Sequence, residues 1–493
     1  PATPVVAGTA DFVASGILPN GSPVVLKADG TVAVVASTVT SVAESIPAGS
    51  EYTFATSIIY PNVECDPITA DKFIVTYRDS GNLNYGTAVA GTVSGTTITF
   101  GTPVVFKAGT IETSAVSFDP NTAGSIVISW TDPTNSQYGT ARAGTLSGNT
   151  ITLGAAVVFS AATSYMTSSS ASFDPNTAGK FVCGYGNSSE GKVIVGTVSG
   201  TSISFGTAVQ FDTGNCQYIA ISFDPNTTDK FIVTYRTNGN SNYGTAIIGT
   251  ITGTSISFGS AIVFNSGITV EGAVAFDPNT AGKFVVAYKD NGNLDYGTAI
   301  IGTISGAGMN SLGFGSAVVF DASASSSVDI SFDPNASGKF LLGYREASND
   351  FVARVSSISG SVLSFGAAVT ISTGATYGSS LAFDPNTAGK FISAYRHPTS
   401  PNGGAASVGQ VASSTTVANL TATNFLGTSQ AAYTNTQTAS IMLQGSISTN
   451  QSGLTIGSTY YVQTDGTLTT TAGNPSVIAG KAISATSLLL KGI

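Results

Sequence analysis

Along most of the chain, apolar and polar residues alternate in short runs. From Lys283 to Lys289, Phe284, Val286 and Tyr288 fall on one face, and Val285 and Ala287 on the other. A period of two over so few residues predicts a strand. Apolar or small residues on both faces predict strands stacked between neighbouring sheets.

The runs recur as a unit. Asp-Pro recurs at regular intervals, at Asp66, Asp119, Asp174, Asp224, Asp277, Asp333 and Asp384, spaced 53, 55, 50, 53, 56 and 51 residues apart. Each unit has room for four strands, the size of a propeller blade. In the fifth, the pattern predicts strands at 272–276, 283–289 and 296–304 and a fourth ending at 313–320. Asp277-Pro278-Asn279-Thr280-Ala281-Gly282 forms the first turn, where Pro fixes φ and Gly supplies a positive φ.

The fourth-strand motif appears at 99–106, 152–159, 204–211, 257–264, 313–320 and 364–371, and no copy follows the seventh Asp-Pro. A similar segment, 53–60, precedes the first one. The count therefore comes to seven only if 53–60 pairs with 408–411 and the N-terminal strand finishes the last blade. Such a ring removes free sheet edges, whereas an open solenoid needs capping repeats. The expectation is an all-β fold: a seven-bladed β-propeller at 51–413, closed by an N-terminal strand. It is inserted in a small β domain made of residues 1–50 and 414–493. Two separate terminal modules are the alternative.

The two flanks echo one another. Ser22-Pro23-Val24-Val25-Leu26-Lys27-Ala28-Asp29-Gly30-Thr31-Val32 parallels Ser458-Thr459-Tyr460-Tyr461-Val462-Gln463-Thr464-Asp465-Gly466-Thr467-Leu468. Each predicts a hairpin with an Asp-Gly turn. The C-terminal stretch 453–468, with 477–483 and Leu488-Leu489-Leu490-Lys491 after it, resembles a module of virion structural proteins of marine tailed phages. Residues 20–26 and 29–32 are similar to segments of the same proteins. The resemblance covers the flanks only. It implies a fibre, head decoration or other appendage of a particle, and it supplies no catalytic residues.

Composition narrows the chemistry. Of 493 residues only 45 are charged, 18 Lys and Arg with 27 Asp and Glu, against roughly 25% in an ordinary soluble domain. There is one His, one Trp, three Met and three Cys. A Ser-His-Asp triad, a multi-His metal centre or a Cys-rich zinc module has little to be built from. A net charge of -9 without basic runs argues against nucleic acid. No apolar stretch reaches the ~20 residues of a membrane helix, so no membrane insertion is expected. The opening Pro-Ala-Thr-Pro lacks a basic and apolar leader, so the expectation is synthesis in a host cytoplasm and export on a virion. Cys65, Cys183 and Cys216 have no metal spacing and read as free, structural thiols.

The loops that join second to third strands, and blade to blade, share one face and vary most, so a ligand is expected there. After the second-strand aromatic stand Arg78, Thr131, Gly186, Arg236, Lys289, Arg345 and Arg396, five of them cationic. These form an anion- or glycan-binding rim, or they satisfy loop carbonyls and pair with Asp79, Asp290 and Glu346. The second is the commoner fate of exposed charges. Tyr165, Tyr218 and Tyr377 lie in crossing loops, where a ring either stacks on a sugar or packs between blades. Trp130 holds a core Tyr position. The lone His397 suits neither metal nor triad, and the 290–295 loop does not match a calcium loop. Among Glu112, Glu271, Asp329 and Glu346 no carboxylate pair stands out.

These readings set the expectation: a non-enzymatic virion protein without cofactor or metal. Its terminal domain would join other virion proteins, as a homo-oligomer or in many copies per particle. Its propeller would be offered to a host-surface glycan or protein. A propeller glycan hydrolase or lyase, and a bacterial extracellular adhesin, are the alternatives.

Overall fold

The computed structural model describes residues 8–40, 50–167, 170–306, 308–309, 311–374, 378–397, 403–411 and 415–491. The chain divides into two compact units, Ala43–Ala412 and a second made of Pro1–Val42 with Ser413–Ile493. No α-helix occurs among the described residues.

The larger unit is a seven-bladed, closed β-propeller. In blade one the inner strand Ile58–Cys65 pairs with Lys72–Asp79, and that with Tyr85–Ser94. The sequence led to a single fourth strand at 99–106. The outer position instead holds two pieces, Thr97–Phe100 and Val104–Thr110, each pairing with its own half of Tyr85–Ser94. Between them Gly101 lies against the Asn149 carbonyl of the neighbouring blade, with no space for a Cβ. Between blades four and five, one continuous strand, Ile262–Phe276, serves as outer strand of the first and inner strand of the second.

Blade seven consists of Ser379–Phe383, Lys390–Arg396, Gly404–Gln410 and the N-terminal Tyr52–Ala55. The expected closure is present, but its register differs. Tyr52–Ala55 pairs with Gly404 to Ala406, not 53–60 with 408–411, and Ile58 already begins the inner strand of blade one. Ring packing sets this register. Phe106 lies over Gly86, Phe264 over Gly244, and Phe54 lies over Gly404 in the same way, leaving no space for a Cβ there. Phe54, rather than Tyr60, is therefore the seventh copy of the outer-strand Phe.

The joints between blades repeat as well. In five of the seven turns the Asn two residues after the turn Asp (Asn121, Asn226, Asn279, Asn335 and Asn386) donates its side-chain amide to a carbonyl of the next blade, while Ile68 holds that place after Asp66. Asn279 reaches the Pro334 carbonyl (3.2 Å) and Asn335 the Pro385 carbonyl (3.1 Å). Asn386 of blade seven reaches the Asp66 carbonyl of blade one at 3.0 Å. The closing joint is thus made like four of the others. The turn aspartates are buried, and each holds its turn by accepting a backbone N–H, as Asp333 does from Asn335 (2.8 Å).

In the terminal unit one sheet interleaves the chain's two ends: Thr9–Val13, Thr438–Leu443, Phe425–Ser429, Pro23–Leu26 and Val32–Val34. A second holds Ile447–Ser448, Leu488–Leu490, Val477–Ala482, Thr459–Val462 and Leu468–Thr469. One core joins Val25 and Val35 to Phe425, Val462, Val477 and Leu488. The echoing hairpins share a detail. Asp29 Oδ1 accepts the N–H (3.0 Å) and hydroxyl (2.6 Å) of Thr31, and Asp465 Oδ1 accepts those of Thr467 at 2.9 and 2.7 Å.

Candidate functional site

The inner strands surround a channel that opens into a cavity of about 380 Å³ at each end. A free strand edge leaves N–H groups without a ladder partner. Here side chains from adjoining blades take that place. Asn62 accepts from Val116 N–H (3.0 Å), Asp329 from Leu381 (3.0 Å), Ser380 from Val63 (3.2 Å) and Ser331 from Phe383 (3.1 Å).

The two ends differ in kind. At the turn end the lining is repetitive, with Pro175, Pro225, Pro278, Pro334 and Pro385 and the residues just before them. Glu64 and Asp329 also line it. The sequence pointed to no carboxylate pair, yet the fold brings these two into one channel. Burial pushes the Glu64 carboxyl up to about 8, and the charge of Asp329 adds to the shift. Burial also raises Asp329, against hydrogen bonds from Leu381, Ser380 and Ile330 that favour its charge. Asp329 spends one oxygen on Leu381 N–H and the other on Ile330 N–H, a capping role. Glu64 was legible only by aligning the units on Asp-Pro. Two residues before the Asp, the other six carry Ser117, Ser172, Ser222, Ala275, Ser331 and Ala382.

The opposite mouth, on the variable-loop side, is lined among others by Tyr60, Thr113, Met166, Tyr218, Glu271, Ser327, Asp329 and Gly378. Tyr60, Thr113, Tyr218, Glu271, Ser327 and Gly378 all stand six residues before their Asp-Pro. The inner strands bulge here, with register shifts at Ile59/Asn62, Gln217/Ala220, Val270/Ala273 and Ser326/Asp329. Tyr60, Tyr218, Glu271 and Ser327 take φ of 52°, 52°, 52° and 51°. A bulge re-aims side chains, and this one turns them toward the mouth.

The expected cationic ring sits beside this mouth with its charges engaged. Arg78 Nη1 donates to the Ile111 carbonyl (3.4 Å), and its guanidinium lies 5.9 Å from the Tyr60 ring centroid. Arg236 donates to Gln217 Oε1 (3.2 and 2.6 Å) and to the Thr269 carbonyl (3.4 Å), 4.7 Å from the Tyr218 centroid. Lys289 pairs with Asp295 at 3.4 Å, and Arg345 donates to Asn349 Oδ1. Arg396 ends its strand half-buried. Tyr165 is pinned by paired backbone bonds to Gly186 (2.7 and 3.1 Å) and does not line the mouth. Tyr377 lies outside the described residues. Tyr218 is thus the sequence candidate that reaches the cavity. Its counterpart Tyr60 was hidden by the closure register, although its spacing from Asp66 equals that of Tyr218 from Asp224.

The remaining candidates make contacts of their own. Glu112 accepts from Gln137 (3.4 Å), and Glu271 accepts Ser327 N–H. Burial and the charges of Asp321 and Asp350 raise the Glu346 carboxyl. His397 lies 3.1 Å from Glu51, beside the closing strand. All three cysteines are free and buried; burial pushes the thiols of Cys183 and Cys216 up to about 12 and that of Cys65 upward. Among the described residues no group of three or more His, Cys, Asp and Glu is placed to hold a metal ion.

No protein-family model matches the chain, and no curated protein matches it. Among solved structures it is similar to the β-propeller domain of Cps50 (Swd1) from Myceliophteria thermophila, with a TM-score of 0.51 and 11% identity over 75% of this chain and 100% of that one. It is also similar to Sqt1 from Chaetomium thermophilum, with a TM-score of 0.44 and 13% identity over 72% and 83% of the two chains. The first likeness agrees with the blade topology and bears on the fold alone.

Proposed function

We propose that this protein is a non-enzymatic component of a virion surface, whose terminal unit joins other virion proteins and whose propeller engages a glycan or receptor on the host. The observation that carries the binding role is the contrast between the channel's ends. One end is built from the same bonds in blade after blade. The other places Tyr60, Thr113, Tyr218, Glu271, Ser327 and Gly378 at one repeat position, a different surface in nearly every blade. Packing demands alone would act alike on all seven copies, so the spread favours recognition on a rigid scaffold. The virion role is supported by the flanking sequence resemblance. Many copies on one particle make weak single sites effective.

Antibodies raised against the full chain should label particles of the phage encoding it in immunogold micrographs. The purified chain should also compete with those particles for host cells. Label confined to a bacterial envelope would mark a cellular adhesin instead. Unlabelled particles would remove the virion reading.

A further inference from the structure

We propose that the variable-side mouth of the channel binds a neutral saccharide, held between Tyr60 and Tyr218; the proposal rests on the receptor-binding reading above and names its ligand class. The two tyrosines belong to blades one and four of seven, so they face each other across the mouth from nearly opposite walls. Neither is free to collapse. Each sits in a bulge at a positive φ, and each has a guanidinium over its ring, Arg78 at 5.9 Å and Arg236 at 4.7 Å. Those guanidiniums are in turn tied to Ile111, Gln217 and Thr269. Rings fixed in this way offer contact area at little further entropic cost, which suits stacking on the C–H face of a sugar.

The polar groups between the rings match hydroxyls. Ser327 contributes a hydroxyl that donates and accepts, Thr113 a hydroxyl oxygen that accepts while its hydrogen goes to the Met166 carbonyl (2.8 Å), and Glu271 carboxylate oxygens, whereas the Asp329 oxygens are spent on Leu381 and Ile330 N–H. Glu271 accepts Ser327 N–H through Oε2, while no described residue donates to Oε1. Among the described residues no Lys or Arg lines the cavity, so these residues offer no cation to a sugar acid and set two carboxylates against it. The cationic ring thus does not make an anion site: its guanidiniums at blades one and four serve as backing for the tyrosines. The volume of about 380 Å³ lies at the small end of the ~300–1,000 Å³ range of ligand pockets, which fits one or two sugar rings.

The test is calorimetric titration of the full chain with neutral oligosaccharides ending in glucose, galactose, mannose or N-acetylglucosamine, and with the corresponding uronic-acid-terminated compounds. At least one neutral compound should bind, and its acidic counterpart about tenfold more weakly or not at all. Tyr60→Ala and Tyr218→Ala should each weaken binding about tenfold, Tyr218→Phe by less than about threefold, and Leu294→Ala, an exposed change on the same face, by nothing measurable. Saturation-transfer NMR on the unmodified chain supplies a readout that needs no variant: aromatic irradiation should reach the sugar C–H protons. Tighter binding of the acidic series, wild-type affinity in the Tyr60→Ala/Tyr218→Ala double variant, or no transfer from aromatic protons would overturn the proposal. Particles labelled by antibody with no saccharide bound would end this site and leave the virion reading standing. Saccharide bound with no particle labelled would do the reverse.

Discussion

The turn aspartates show how one residue type does unequal service in different blades. Asp333 accepts Asn335 N–H within its own turn and, through Oδ2, the N–H of Gly389 in the next blade at 3.1 Å. In Asp277 the first bond recurs (3.0 Å), while Oδ2 is buried without a partner. Removing an acceptor strands a buried donor at about 1–3 kcal/mol. Asp333→Ala should therefore lower stability by about 1 kcal/mol more than Asp277→Ala, read as the difference in urea midpoints. Equal losses would mean that the bond between blades contributes nothing. The glutamate at position 64 is the opposite case. The same position carries serine or alanine in the other units, and the sequence alone does not say that its carboxyl ends beside Asp329.

At the level of elements, the ring depends on a four-residue strand. Tyr52–Ala55 supplies the outer edge of blade seven, and the Phe54 ring fills the space over Gly404 while packing on Tyr77 (5.2 Å between centroids) and Phe100 (5.5 Å). Phe54 thus ties blade seven to blade one. Phe54→Ala should cost about 2 kcal/mol, the partial burial of the ring placing it below a fully buried Phe. The exposed neighbour Thr53→Ala should cost within about 0.5 kcal/mol. Thermal melts of the two variants decide the matter, and an equal effect would deny the closing strand its energetic role. The periodicity made the presence of this strand legible, because six outer motifs cannot close seven blades. Its register was not legible, since 53–60 resembles the motif equally well in either frame. Contact between Phe54 and Gly404, 350 residues apart, is what selects one frame.

For the whole molecule, the channel couples stability to pH. The Glu64 carboxyl is raised from 4.5 to about 8, so the folded state holds a proton that the unfolded chain releases above its own pKa. The stabilisation is full below about pH 4.5 and is lost as pH rises through about 8. Glu64→Gln keeps a neutral side chain at every pH. The variant should therefore melt with the wild type near pH 5 and above it near pH 8, and parallel melting curves across that range would refute the buried acid.

Local sequence determined the strands, the turns and the number of blades, because alternation and Asp-Pro turns act over a few residues and recur seven times. It also exposed the echo between the two ends of the chain, whose Asp-Gly-Thr turns close through bonds within five residues. Tertiary structure decided the rest. Which residues share the channel depends on seven strands meeting around one axis, so Tyr60 and Tyr218, or Glu64 and Asp329, become neighbours only through the closed ring. The fate of the cations was decided there too: a guanidinium alone in sequence is a free charge, and a bulge that lays a tyrosine over it turns it into a support.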